Sequence, residues 1–175
     1  YLRERFGLDP TALGNTVLAL LVALNLGGVI YGPLDRWSGR RKLVVAGGIL
    51  IQIVMLATLA VAGELGFWAT TSLLVAFAAF SQIHALVIAQ AQSLFGPELA
   101  GRVITTTNLF LIGGIFLFQL SSGLAHDLFT GWFGMSNADG YRLTFAVLAG
   151  CQCLGLALYA RAPTSPRTSS DSERG

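Results

Sequence analysis

The sequence predicts an all-α membrane protein with five membrane-spanning helices. Hydrophobic residues make up 54% of the 175 and charged residues only 11%, where a soluble domain carries about 25% charged residues to cover its surface. The few charges cluster, and between them lie five uncharged runs, residues 10–34, 43–63, 65–97, 103–125 and 143–160. A span needs about 20 mostly apolar residues to cross roughly 30 Å of hydrocarbon. Four runs reach that length outright, and the fifth does once Tyr141 at its edge is included. Inside lipid the backbone must satisfy its own hydrogen bonds, which makes each run a helix.

Taken in order, residues 1–9 mix charge with Tyr1, Leu2, Phe6 and Leu8 and form an external connector at the membrane interface. Asp9-Pro10 starts the first span, with Asp as the N-cap and Pro at the first helical position. That span runs over about 10–34. Ala19, Ala23 and Gly27 recur every four residues along it, as do Gly28 and Gly32, a spacing that lets helix backbones approach closely. An arginine-dense loop at 35–42 leads to the second span, about 43–62. Gly63-Glu64 makes a very short turn before the third span, about 66–93. Gly96-Pro97-Glu98 breaks the chain before the fourth, about 100–123. The stretch 125–140 carries Gly, Asn and Asp residues that suit turns, and it places His126 in an external loop. The fifth span covers about 141–160, and the Ser-, Pro- and charge-rich tail at 161–175 is predicted to be disordered.

Lys and Arg set the orientation. Arg36, Arg40, Arg41, Lys42, Arg102, Arg161, Arg167 and Arg174 fall on one side, and only Arg3, Arg5 and Arg142 on the other. Eight against three puts the C-terminus in the cytoplasm of a multi-pass cell-membrane protein. Trp37, Trp68 and Trp132 all lie near span ends, where aromatic belts form. No basic patch outside the short loops suggests nucleic acid. Cys151 and Cys153, two residues apart on a helix, point to nearly opposite sides and can neither share a metal nor bond to each other. They read as small packing residues, and neither a metal nor a cofactor is expected. The first residue is Tyr rather than Met, which leads us to expect that a preceding part of the chain is missing.

The segment after the first span contains Gly32, Leu34, Asp35, Arg36, Gly39, Arg40 and Arg41. It resembles the cytoplasmic signature of the major facilitator superfamily, roughly G-x-L-x-D-R-x-G-R-R, which joins the second and third helices of each six-helix half. The distance between the two glycines matches. The aspartate stands one place nearer the N-terminus, which makes this an imperfect copy, as the resemblance implies for the C-terminal half. Pro97, Glu98, Gly101 and Arg102 entering a Thr- and Asn-bearing span resemble the connection between the tenth and eleventh helices of that family, and Tyr141-Arg142 resembles the opening of its last.

The resemblance implies helices eight to twelve of twelve, a partial C-terminal six-helix bundle of the major facilitator fold. By position, the first and fourth spans would meet the missing N-terminal half, the third would face a central cavity, and the second and fifth would be outer helices. The small-residue face of the first span suits contact with the other half. The loop residues Gly32, Asp35, Arg36, Gly39, Arg40 and Arg41 would form a conformational latch, and the start of the fourth span, near Gly101, would dock the other half's copy. A generic positive-inside loop is the plain alternative.

Polar groups inside lipid are costly and point inward or do work. His84 is the only ionisable side chain deep in a span, a candidate for lining a cavity and binding a substrate or proton. The plain alternative is a neutral His bonded to a neighbouring helix. Asn108 and Gln119, eleven residues apart, lie about 20° apart around the fourth helix. With Thr105 and Ser122 they form a polar stripe for a cavity or a helix contact. Asn25 stands similarly on the first span. Gln52 and Gln152 read as local packing contacts, and Gln82 and Gln90 lie on another face from His84.

These features predict a secondary transporter that moves a small molecule by alternating access, with protons as a candidate co-substrate. Its partners would be the lipid bilayer and the missing N-terminal half. An embedded enzyme would need His, Asp, Glu or Ser groups clustered at one depth, and none is visible. A structural membrane subunit would need no polar stripe.

Overall fold

The computed structural model describes residues 1–62 and 65–162, and these are almost wholly helical. A short helix α1 (Leu2–Phe6) precedes α2 (Pro10–Ser38), α3 (Arg41–Val61), α4 (Phe67–Phe80), α5 (His84–Ser93), α6 (Ala100–Gly131) and α7 (Asn137–Arg161). Single 3₁₀ turns at Ser81–Ile83 and Pro97–Leu99 lead into α5 and α6. With α4 and α5 counted as one interrupted span, five helices are long and apolar enough to cross a membrane, as expected of a multi-pass membrane protein.

Asp9 caps α2 by accepting the Ala12 N–H at 2.8 Å, with Pro10 at the first helical position. The helix continues beyond the expected boundary, through Pro33, Asp35 and Arg36. Pro33 is tolerated because a membrane helix can satisfy the freed groups locally. The stop comes at Gly39, whose φ of 58° is left-handed and whose N–H returns to the Asp35 carbonyl at 3.1 Å, an αL cap that glycine adopts without strain. Hence the expected loop at 35–42 shrinks to Gly39 and Arg40.

The stretch 125–140 is also mostly helix. Helix α6 runs to Gly131, and α7 starts at Asn137 under a Ser136 cap that accepts the Asp139 N–H. His126 is therefore a helical residue, not a loop residue. Its ring lies 4.0 Å from that of Tyr141, beside Gly140, where an added Cβ would come 3.3 Å from the imidazole. The turn at Gly63-Glu64 and most of the tail at 161–175 lie outside the described residues.

The most extensive contacts pair α3 with α7 and α2 with α4. Helix α3 also packs on α4, and α6 lies against α7 and α5. Gly27 sets the α2–α4 crossing: a Cβ there would come 1.9 Å from the Ala79 carbonyl oxygen. The small-residue face expected to meet another half is thus used, at Gly27, inside this bundle. A Cβ on Gly32 would meet no other element within 4 Å among the described residues. A core of Tyr31, Val45, Ile83 and Leu86 forms where α2, α3 and the interrupted span converge.

The antiparallel α3–α7 pair is closed by a cation at each end. Lys42, in the first turn of α3, donates from Nζ to the Ala160 and Ala162 carbonyls at the end of α7, both at 2.7 Å. Arg142, in the first turns of α7, donates from Nε to the Ala60 carbonyl at the end of α3, at 3.0 Å. Helix C-termini carry unpaired carbonyls and partial negative charge, so each helix caps the other. The short α1 is pinned at the Arg142 end: Tyr141 donates to Glu4 at 2.7 Å, Arg5 donates to the Leu65 carbonyl at 3.1 Å, and Tyr1 packs edge-on against Tyr141 and Phe145.

Candidate functional site

The third span breaks near its middle. Ser81, Gln82 and His84 bring three polar residues into an otherwise apolar run. The Ser81 hydroxyl donates back to the Phe77 carbonyl at 2.7 Å, a bond that competes with the helical ladder and bends helices. At Gln82 the backbone leaves helical values, with ψ at 15°. Helix α5 restarts at His84.

Neighbouring helices meet the polar groups that the break releases. The Phe80 carbonyl accepts Gln52 Nε2 at 2.6 Å and Tyr31 Oη at 3.1 Å. Gln52 Oε1 in turn accepts Gln152 Nε2 at 3.0 Å, while Gln152 Oε1 is buried with no hydrogen bond among the described residues. Gln52 and Gln152 are therefore packing contacts, and they pack at the break. Two turns further along α5, the buried Gln90 accepts a short hydrogen bond from Tyr159. Gly28 leaves room for the Gln82 side chain, 3.7 Å from where its Cβ would stand.

His84 occupies the first position of α5, half-buried, and makes no side-chain hydrogen bond among the described residues. The other candidates do not gather round it. Asn25 is exposed on α2 and donates to the Leu21 carbonyl of its own helix at 2.7 Å. Asn108 is half-buried on α6 and Gln119 is exposed farther along it. Thr105 and Ser122 bond within their own helix, to the Gly101 and Gln119 carbonyls. No hydrogen bond links any two of His84, Asn25, Asn108 and Gln119 among the described residues. What they share is a position in the spans on surfaces that this bundle leaves uncovered or half-covered. Helix α6 buries none of its residues.

Of the expected latch residues, Gly32, Asp35 and Arg36 lie in α2, Gly39 and Arg40 form the turn, and Arg41 opens α3. Asp35 is engaged within the segment. Arg41 donates to both its oxygens, from Nε at 3.2 and 3.0 Å and from Nη2 at 2.8 Å. The fork ties the end of α2 to the start of α3 and leaves the carboxylate mostly covered. A cleft of about 370 Å³ opens beside it, lined by Arg40, Arg41, Lys42, Gln90 and Ser93.

Another cleft, about 760 Å³, lies at the opposite end among Glu4, Arg5, Asp139, Tyr141 and Arg142, away from every expected substrate residue. Cys151 and Cys153 are free and on the outer surface of α7 rather than packed inside. No three His, Cys, Asp or Glu side chains come together as a metal-ligand set among the described residues.

The break was not anticipated from the sequence. Its signal is the polar cluster Ser81, Gln82 and His84 at mid-span, which on a continuous helix would be split between two faces. Compared with family models, curated proteins and solved structures, the chain matches none.

Proposed function

We propose that the chain is the C-terminal part of a secondary transporter of the major facilitator type, moving a small molecule across the cell membrane by alternating access. The interruption at Ser81–Ile83 carries the proposal. A mid-span 3₁₀ stretch often marks a functional hinge. Interrupted membrane helices are tolerated only where protein or a water-filled cavity surrounds the broken backbone, and transporters build midplane sites from them. Here the break brings Gln82 and His84 to the middle of the span Phe67–Ser93.

Two further features support it. Helix α6 offers an unburied surface bearing the stripe Thr105, Asn108, Gln119 and Ser122, suited to line a path shared with a second helix bundle. The Asp35–Arg41 fork lies in the segment that resembles the family's latch loop, which is consistent with that role. In this proposal His84 and Asn108 line the path, with Asn25 and Gln119 farther along it. The excess of Lys and Arg supports a cytoplasmic side for the fork and the C-terminus.

Cysteine accessibility in the full-length protein tests the proposal without a known substrate. With Cys151 and Cys153 replaced by Ala, His84→Cys and Asn108→Cys are exposed to a charged, impermeant thiol reagent in right-side-out and inverted vesicles. Both should react from both faces, while a control Val54→Cys on the outer surface of α3 should not. Failure of both to react from either face would falsify the transport path.

A further inference from the structure

In an unbroken helix the Phe80 carbonyl would accept the N–H of residue 84. The 3₁₀ turn at Ser81–Ile83 replaces that bond with the shorter i→i+3 pattern, and Gln52 and Tyr31 add donors to the same oxygen from two other helices. Both donors are buried. Each is held in place. Gln152 on α7 donates to Gln52 from behind. Gly48 makes the space for Tyr31, since a Cβ there would stand 2.7 Å from the hydroxyl and 2.8 Å from Ile83 Cδ1. Side chains from α2, α3 and α7 thus converge, directly or through one another, on a single oxygen of the third span.

We propose that Gln52 and Tyr31 are a brace that selects between two shapes of this span. In lipid the Phe80 oxygen needs a donor. With Gln52 and Tyr31 on this oxygen the span is held at the tighter bonding of the interruption; without them the N–H of residue 84 can take it in a continuous helix. The brace therefore biases the span between these two shapes. Gln52 and Tyr31 are positioning residues: they decide where Gln82 and His84 stand. The functional meaning of the brace rests on the transport proposal, but its geometry does not.

Paired spin labels read the shape directly. In the full-length protein in lipid nanodiscs, with Cys151 and Cys153 replaced by Ala, Ser72→Cys on α4 and Ser93→Cys on α5 carry the labels, both on exposed positions. Tyr31→Phe and Gln52→Leu should each add a second distance, and the double variant should move the population to it. Closing three residues from about 2.0 to 1.5 Å rise shortens the separation by about 1.5 Å before any change in bend. Thr58→Val, which removes a hydroxyl bonded only within α3, should leave the distribution unchanged.

An unchanged distribution in the double variant overturns the brace, as does an equal shift in Thr58→Val. If Gln52→Leu does not fold, Tyr31→Phe decides alone, because it removes one oxygen and keeps the ring. A shifted distance together with His84→Cys and Asn108→Cys both sealed from both faces would keep the brace and sink the transport path. The reverse pattern would sink the brace only.

Discussion

Gly27 and Gly28 are neighbours in sequence with opposite tolerances. A Cβ on Gly27 would come 1.9 Å from the Ala79 carbonyl oxygen, and its next contacts are backbone too. Backbone cannot swing aside as a side chain can, so α2 and α4 would have to part. A Cβ on Gly28 would meet only the Gln82 side chain, at 3.7 Å. Gly27→Ala should therefore cost about 1–3 kcal/mol, the usual range for overpacking, and Gly28→Ala within about 0.5 kcal/mol of nothing. Unfolding by SDS titration in mixed micelles measures both. Equal losses would show that the α2–α4 crossing is not set at Gly27. The sequence flagged both glycines by their spacing, yet spacing alone does not say which one meets backbone. The two rows, Ala19-Ala23-Gly27 and Gly28-Gly32, differ in what faces them, and that depends on a helix fifty residues away.

At the scale of elements, the start of α2 was readable: Asp9-Pro10 marks it through a bond three residues long. Its stop at Gly39 is equally local, a bond four residues long, yet the sequence predicts an end at about residue 34, because the charges at 35–36 read as a loop. The interruption depends on one local bond, from Ser81 to Phe77, and on donors 28 and 49 residues from Phe80. Nothing in the cluster Ser81, Gln82 and His84 names those donors, which lie on other helices. The α3–α7 caps were hidden for a similar reason. Lys42 and Arg142 were counted as topology signals, and their carbonyl partners lie 118–120 and 82 residues away. Replacing either with Leu should remove about 1 kcal/mol of stability, the scale of a cation at a helix C-terminus. The caps stand at opposite ends of a 21-residue helix, so the losses should add in the double variant. A double loss no larger than one single loss would mean that the two caps are not independent.

The whole molecule is a set of helix pairs with much of its apolar surface turned outward. Charge-free runs were enough to show five spans, because hydrocarbon thickness and backbone satisfaction leave few alternatives. They were not enough to show which faces meet. The candidate residues His84, Asn25, Asn108 and Gln119 remain apart because each was chosen for polarity within its own helix, a criterion blind to neighbours. Orientation is a property of the entire chain. A reporter fused after Gly175 should read as cytoplasmic, following the eight-to-three excess of Lys and Arg, and an external reading would reverse every assignment of sides. The mutual capping of α3 and α7 also has a consequence for biogenesis. Helix α3 is synthesised long before α7, so until α7 arrives Lys42 has no carbonyls to hold and the end of α3 has no cation. Translation that stops before α7 would leave α3 unfinished at both faces of the bilayer at once, a double defect for membrane quality control to detect.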